Sequence, residues 1–162
     1  MRILGIDPGS QWTGYGCIDH LGNQPRHVTH GTLAVCEKRS APSTPLEDRL
    51  LAIYEGISAI ILEFKPQIMI VEKVFFAKNP LSALKLGQAR GAAILTGKLH
   101  SLKIAEYSPT EVKQAVAGHG QADKEQVAKM VQLLLGKLTF TTYDASDGLA
   151  LALCHAYTSR RL

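Results

Sequence analysis

Along the first 35 residues, apolar positions form three short runs that indicate strands, at 2–7, 13–19 and 27–35. The sequence Asp-Pro-Gly-Ser ends the first run, because proline restricts the residue before it and glycine permits a turn. The second and third runs are joined through Leu21-Gly22-Asn23, a connection typical of antiparallel strands. The chain is therefore expected to begin with an antiparallel meander in which Asp7 stands at the carboxyl end of the first strand.

A polar linker at 37–45 separates these strands from the first predicted helix. Between residues 46 and 64, apolar side chains recur at steps of three and four, which is the period of one helical face. The linker ends in Thr44-Pro45-Leu46-Glu47, which has the spacing of a capping box with proline at the first helical position. We therefore expect a helix that begins at this box, ends at Lys65-Pro66 and packs its apolar face on the sheet.

The rest of the chain alternates short strands with helices. Strands are predicted at 68–72, where an apolar run ends in Glu72, and at 104–107. Helices are predicted from Asn79-Pro80 to about residue 102, from a capping box at 108–111, from Asp123 as far as Gly136, and from about 143 to 157. The pattern as a whole predicts an α/β fold with a mixed sheet of about five strands flanked by helices, in a single domain of residues 1–162.

Composition and charge restrict the class of protein. The chain is 46% hydrophobic and 20% charged, and no apolar stretch approaches the roughly 20 residues that span a bilayer, so we expect a soluble, cytoplasmic protein. Cys17, Cys36 and Cys154 show no CxxC spacing and are interpreted as buried thiols rather than zinc ligands. Residues 73–137 carry ten Lys and Arg against four acids, whereas the remainder has a net charge of −2. This concentration of positive charge favours a polyanionic partner.

Four carboxylates are the candidate chemical groups. Asp7 and Glu72 end predicted strands, while Asp144 and Asp147 share a face of the last helix because they are three residues apart. In α/β sheets functional groups collect at the carboxyl ends of strands, and the predicted topology brings all four acids to one edge. For each acid alone a structural role remains open, since an acid in the first turn of a helix commonly caps it and a strand-end acid is commonly paired.

Four carboxylates at one edge would repel each other unless cations were bound between them. Oxygen ligands without histidine or thiolate suit Mg²⁺, for which Mn²⁺ would substitute, and a phosphodiester is the natural substrate. Two ions roughly 4 Å apart would activate water on one side of the phosphorus and stabilise the leaving 3′-oxygen on the other, which leaves a 5′-phosphate. In this hypothesis Asp7 bridges the ions, Glu72 and Asp147 complete the shell, and Asp144 ligates the second ion or positions water.

Five segments of the sequence resemble the RuvC family of Holliday-junction resolvases and follow the family's order across nearly the whole chain. They are Gly5-Ile6-Asp7-Pro8-Gly9, Val71-Glu72-Lys73-Val74-Phe75, Lys85-Leu86-Gly87-Gln88-Ala89-Arg90-Gly91, Val112-Lys113-Gln114 with Gly118-His119-Gly120, and Asp144-Ala145-Ser146-Asp147-Gly148-Leu149-Ala150. The resemblance implies a ribonuclease-H-like fold and a homodimer that nicks two like strands of a four-way DNA junction with Mg²⁺, in recombination and DNA repair. It also implies cooperation with the branch-migration proteins RuvA and RuvB at the bacterial nucleoid.

The resemblance assigns further roles outside the acidic cluster. The family's junction-contacting aromatic falls on Phe75, with Phe76 beside it, and would stack on an unpaired base; a packed core side chain is the alternative. Lys113 and Lys124 match basic positions near the active site, where they would hold the scissile phosphate, although solvated helix charge is the usual alternative. Four other cations are interpreted as contacts to the DNA backbone: Lys73, Lys78, Lys85 and Arg90.

Two other functions stay open on sequence alone. A ribonuclease-H-like nuclease that acts on ribosomal RNA would keep the same fold and metal site, but the long basic middle section and Phe75 favour a DNA junction. A non-catalytic module would recognise branched DNA through shape and charge alone. Such a module would have no need of all four acids.

Overall fold

One mixed sheet of five strands organises the protein, which is described by a computed structural model at residues 1–9, 11–22, 24–36, 44–73, 79–140 and 142–159. The strands are β1 (Arg2–Asp7), β2 (Trp12–Leu21), β3 (Gln24–Ala34), β4 (Ile68–Glu72) and β5 (Lys103–Tyr107). Their order across the sheet is β3-β2-β1-β4-β5. The pairs β1·β2 and β2·β3 are antiparallel, whereas β1·β4 and β4·β5 are parallel. The mixed five-stranded sheet expected from the sequence is confirmed.

Within the described ranges the helices are α1 (Leu46–Phe64), α2 (Pro80–Leu99), α3 (Pro109–Ala117), α4 (Lys124–Leu135) and α5 (Tyr143–Thr158). Side chains cap the starts of three of them, as predicted. The Asn79 side chain accepts from the backbone N–H of Leu81 at the start of α2. The capping boxes Ser108–Glu111 and Asp123–Gln126 are both formed, and Gly136 ends α4. These local signals set the helix boundaries that later place the functional side chains.

Two boundaries differ from the prediction. No side chain caps α1, because Pro45 itself takes the N-cap position and brings no side-chain acceptor. The expected capping box at Thr44 was therefore wrong, and proline precedes the first helical residue instead of occupying it. Helix α2 ends at Leu99 rather than near residue 102, because Ser101 adopts a left-handed backbone with φ of 61°.

The sheet has one hydrophobic core on each face. Leu4, Ile6 and Val71 pack with α1 and α2, whereas Ile3 and Ile70 pack with α3, α4 and α5. This division follows from the two-residue period of strands, which sends successive side chains to opposite faces. Because the same alternation continues to the strand ends, it decides which face the terminal acids occupy.

Burial differs among the cysteines and along α2. Cys17 and Cys154 are buried as predicted, but Cys36 is only half-buried, because it lies just beyond the end of β3. On α2, Ala89 is buried, whereas Gly91 is exposed, with open space where a side chain would begin. No helix among the described residues is long and apolar enough to cross a membrane.

Candidate metal centre

Asp7 and Glu72 lie side by side at the carboxyl ends of adjacent parallel strands. The register of β1 and β4 pairs Ile6 with Val71, so the next residue on each strand is an acid. Ile6 and Val71 belong to the core under α1 and α2. Since side chains alternate along a strand, Asp7 and Glu72 both point to the opposite face, where α5 lies. The sheet thus supplies two of the four predicted carboxylates to one place.

Helix α5 brings the other two acids to this place because glycine lets its backbone touch the sheet. Gly14 is the register partner of Asp7, and a Cβ added there would lie 2.0 Å from the carbonyl oxygen of Asp144. A Cβ added at Gly148 would lie 2.5 Å from the carbonyl carbon of Tyr15. Neither contact leaves room for a side chain. The first turns of α5 are therefore held directly against β2, beside Asp7.

The three aspartates form a compact group of oxygen ligands. Asp7, Asp144 and Asp147 each offer a carboxylate oxygen, and these atoms lie within 4.8 Å of one another. Glu72 lines an adjoining cavity of about 360 Å³ together with Asp7 and Asp147. Asp7 and Asp147 therefore belong to both sets. The three aspartates suit a hard cation, and Glu72 adds a fourth carboxylate on the same cavity.

Two lysines flank the acids from helices that pack against α5. The Nζ atom of Lys124, at the first residue of α4, donates to Oδ2 of Asp147 at 3.1 Å. Lys113, on α3, lines the same cavity. The Lys124 side chain is 66% exposed, so its ammonium group reaches the acids from the solvent side. Both predicted lysines are thus placed at the acidic cluster rather than in bulk solvent.

The electrostatics of the cluster are unfavourable for three ionised acids. Burial raises the pKa of Asp7 to about 7, and the charges of Glu72, Asp147 and Asp144 add to this, while Lys124 opposes it. Burial and Asp147 also raise the pKa of Glu72. For Asp147 itself, burial raises the pKa against the opposing effect of Lys124. A divalent cation would relieve the repulsion that the lysines leave unbalanced.

The acids in turn change the pKa of Lys124. Burial disfavours its charged ammonium, but the ion pair with Asp147, together with Asp7 and Asp144, outweighs this and raises the pKa of Lys124. The lysine therefore stays protonated beside the acids. It is a fixed positive charge at the place where an anionic substrate would meet the cluster.

The donor set fits magnesium or manganese better than zinc or copper. Every ligand in the described cluster is a carboxylate, and neither histidine nor cysteine belongs to it. Hard divalent cations prefer such oxygen ligands and keep water in their remaining positions. The N-cap residue of α5, Thr142, forms no side-chain capping bond, and Asp144 lies in the first turn with its carboxylate in the aspartate group. The geometry favours a ligand role for Asp144 over a capping role.

The other predicted site residues are distributed around this edge. Lys73 follows β4 directly and is half-buried, and Lys85 is exposed on α2. The Arg90 guanidinium contacts two parts of the protein, the backbone of Glu72 and the side chain of Glu106. Three further predictions, Phe75, Phe76 and Lys78, lie outside the described residues.

Two features of the site escaped the sequence analysis. The first is the contact between the Asp144 backbone and Gly14. A glycine inside a strand often marks a close approach of another backbone, so Gly14 could have indicated this contact. The contact between Arg90 and Glu106 left no such signal, because 16 residues separate the partners and no sequence pattern links them. A larger groove of about 590 Å³ lies between α4 and the residues before α5, but among its described lining residues Glu125 is the one acid.

Comparisons with known proteins agree on one family. The family model described as "Crossover junction endodeoxyribonuclease RuvC" matches residues 3–155. The RuvC protein of Syntrophotalea carbinolica is 51% identical over 157 residues, covering 97% of this chain and 94% of that protein. The RuvC protein of Geobacter sulfurreducens is 51% identical over 156 residues, covering 96% and 92%. The structure described as "T. thermophilus RuvC in complex with Holliday junction substrate" has a TM-score of 0.88 at 32% identity, covering 99% and 96%. These matches confirm the resemblance and the ribonuclease-H-like fold.

Proposed function

The chain belongs to the RuvC family of crossover junction endodeoxyribonucleases, and from this premise we propose that it resolves Holliday junctions in recombination and DNA repair. The observation that carries the proposal is the meeting of three aspartates within 4.8 Å at the sheet edge, with Glu72 beside them. Residues 1–162 act as one nuclease domain. The reaction is hydrolysis of a phosphodiester in two like strands of the junction, and it leaves 5′-phosphate ends.

The four acids would hold Mg²⁺, with Mn²⁺ as a substitute. Asp7 and Asp147, which lie both in the aspartate group and on the cavity, would hold the metal together with Glu72 and Asp144. Bound there, the metal supplies Lewis acidity at the phosphate and lowers the pKa of the attacking water. The carboxylates contribute oxygen atoms that the fold already holds together, so little rearrangement is needed when cations bind.

Lys113 and Lys124 act on the substrate rather than on the metal. Both lysines line the cavity that Asp7, Glu72 and Asp147 also line. A scissile phosphate in that cavity would find two positive charges for its non-bridging oxygens, and these charges become more favourable as negative charge develops in the transition state. Lys124 would also keep Asp147 oriented through their 3.1 Å hydrogen bond.

Junction DNA would approach across the basic middle of the chain. Lys73 is half-buried and Lys85 is exposed, and both would contact phosphates of the junction. Such contacts give affinity that weakens with salt and carries no sequence preference. Phe75, Phe76 and Lys78 belong to that segment, and we keep the family's role for them, with Phe75 stacking on an unpaired base at the crossover.

A homodimer would give the enzyme two equivalent active sites for two equivalent cuts. Support comes from α2, where Leu81, Leu84, Leu95 and Leu99 are 58% to 63% exposed. Their spacing places them on one stripe of the helix, with the open position of Gly91 in the same stripe. An exposed apolar stripe with a small residue at its centre suits close packing against an identical helix.

Two parts of the proposal rest on family membership alone. Branch migration by RuvA and RuvB would deliver the junction to this enzyme at the bacterial nucleoid. No residue identified in the described part of the chain marks a docking surface for either protein.

A substrate panel tests the proposed function. The wild-type protein is incubated with a synthetic four-way junction, a linear duplex and an RNA hybrid of matched sequence, each with Mg²⁺ and with EDTA. We expect paired symmetric nicks in the junction alone and only with Mg²⁺. The Asp7→Asn variant, checked for folding by circular dichroism, is the inactive control.

Other outcomes of the panel would replace the proposal. Preferential cleavage of RNA would favour the ribosomal RNA nuclease. Junction binding without cleavage under any metal condition would favour the non-catalytic module. Unchanged cleavage by a folded Asp7→Asn variant would remove the acidic cluster as the active site.

A further inference from the structure

The Arg90 side chain makes two polar contacts within the protein, on the face of the sheet opposite the acidic cluster. Its Nε atom donates to the backbone carbonyl of Glu72 at 3.1 Å. Its terminal nitrogen pairs with the carboxylate of Glu106 on β5. The Arg90 side chain is 24% exposed and that of Glu106 is 33% exposed. The guanidinium therefore joins α2 to the ends of two adjacent strands.

The Glu72 carbonyl needs a donor from outside the sheet. The next residue, Lys73, directs its N–H to Tyr107 on β5 at 2.8 Å, so the Glu72 backbone groups point the other way, towards β1. There β1 continues from Asp7 into Pro8, which has no N–H to donate. The parallel register of the two strands accordingly ends at Ile6 and Val71. Arg90 provides the donor that the Asp-Pro sequence removes.

This contact acts on a residue of the metal centre. Glu72 is the last residue of β4. Its carboxylate faces the α5 side while its carbonyl is held by Arg90. We propose that Arg90, braced by Glu106, is a positioning residue that fixes the Glu72 backbone and so holds the Glu72 carboxylate in the metal centre. The proposal rests on the proposed function for its biological purpose, but the geometry behind it does not depend on the substrate.

A role for Arg90 in binding DNA phosphate fits the geometry less well. Both its Nε and one terminal nitrogen already have protein acceptors. Lys85, on the same helix, is exposed and offers its charge to solvent. The two cations of α2 therefore provide a matched pair. Lys85 is expected to contribute salt-dependent DNA affinity, and Arg90 is expected to contribute metal affinity.

The first experiment measures Mn²⁺ binding to the DNA-free protein by titration calorimetry. Arg90→Gln should weaken Mn²⁺ binding by about 10-fold, the scale on which residues behind metal ligands act. Arg90→Lys should restore little, because an ammonium group lacks the planar fork that reaches both acceptors. Glu106→Gln should show a smaller loss, and the Arg90→Gln/Glu106→Gln double variant should lose less than the two losses combined. Lys103→Gln, which removes an exposed cation from the other end of β5, is the neutral control.

A second measurement distinguishes positioning from general stability. Hydrogen exchange of the Lys73 amide in the metal-free protein should accelerate in Arg90→Gln, while amides in α5 keep their protection. In the Glu72→Gln background, Arg90→Gln should cause no further loss of Mn²⁺ affinity. A variant that merely lowered overall stability would accelerate exchange throughout and would weaken Mn²⁺ binding in both backgrounds. If Arg90→Gln fails to fold, Arg90→Lys and Glu106→Gln carry the same comparison.

A different pattern of results would show that Arg90 binds DNA instead. If Arg90→Gln leaves Mn²⁺ affinity and Lys73 exchange unchanged but reduces junction affinity and its salt dependence as Lys85→Gln does, Arg90 is a phosphate contact and the proposal is wrong. Failure of the wild-type protein to cut a junction would instead overturn the proposed function. It would leave the Mn²⁺ and exchange results to stand by themselves.

Discussion

Helices α5 and α2 are covered by their own chain to very different degrees. Eleven of the sixteen residues of α5 are buried, against four of the twenty residues of α2. Helix α5 touches the sheet backbone through glycine and carries two acids to Asp7, whereas α2 presents four exposed leucines. A helix buried on all sides is held in one position, which catalysis requires. A helix with a free apolar stripe has area left for a partner, which assembly requires.

The largest effect is expected from α5. Asp147→Asn removes a carboxylate that belongs to the aspartate group and also lines the cavity, and it leaves Lys124 without its ion pair. Cleavage of a four-way junction should fall by at least about 10³-fold, because metal-assisted steps contribute several kcal/mol to the barrier. Single-turnover cleavage and sedimentation of the same sample provide the measurement. A change in oligomeric state would contradict the separation of roles between the two helices.

The next effect is expected from α2. Leu84→Glu combined with Leu95→Glu places two charges in the apolar stripe. It should raise the dissociation constant of the proposed dimer by at least about 100-fold, since buried like charges without partners cost several kcal/mol. Analytical ultracentrifugation measures it. Mn²⁺ affinity of the resulting monomer should stay within about 2-fold of wild type, because no residue of the stripe belongs to the cluster. Loss of metal binding in the folded monomer would show that the two regions are coupled.

Substitution of one glycine in each helix tests the same difference in packing between α5 and α2. Gly148→Ala should lower the free energy of unfolding by about 2 to 3 kcal/mol, because its Cβ would meet the backbone of Tyr15 and push α5 off the sheet. Gly91→Ala meets open space and should raise that free energy by about 0.5 to 1 kcal/mol through helix propensity. Urea unfolding in the Leu84→Glu/Leu95→Glu background compares them without a partner chain on α2. Equal effects of the two substitutions would refute the different packing of the helices.

The last effect depends on pH and belongs to the α5 side alone. The pKa of Asp7 is raised from 3.8 in the unfolded chain to about 7, so between these values the folded protein keeps a proton that the unfolded chain has lost. The free energy of unfolding of the metal-free protein should therefore fall by about 3 kcal/mol as pH rises from 4 to 7 and then level off.

Asp7→Asn isolates this contribution. The variant should be more stable than wild type at pH 8 in EDTA and equally stable at pH 4, as followed by thermal unfolding. Mg²⁺ should stabilise the wild type more at pH 8 than at pH 5.5, because protons compete with the metal for Asp7. A pH profile that Asp7→Asn leaves unchanged would show that other groups cause it.

Several parts of the structure were predictable because their signals are local. Period-two and helical patterns predicted the strands and helices, and the sequence Ser108-Pro109-Thr110-Glu111 predicted a cap that is formed. The same logic failed at Thr44, because the spacing of a capping box does not decide which residue takes the N-cap position. The predicted roles of Phe75, Phe76 and Lys78 remain predictions, since these residues lie outside the described part of the chain.

The sequence by itself determined which groups are available: acids at the ends of β1 and β4, two more one helical turn apart, and a basic middle section. Only the tertiary structure decided which of these groups contact one another. Gly14 receives the backbone of Asp144, Lys124 pairs with Asp147, and Arg90 holds Glu72 from behind, all between residues far apart in the chain. The physical reason is that periodicity and caps act within a few residues, whereas close approach between distant segments depends on how the whole core packs.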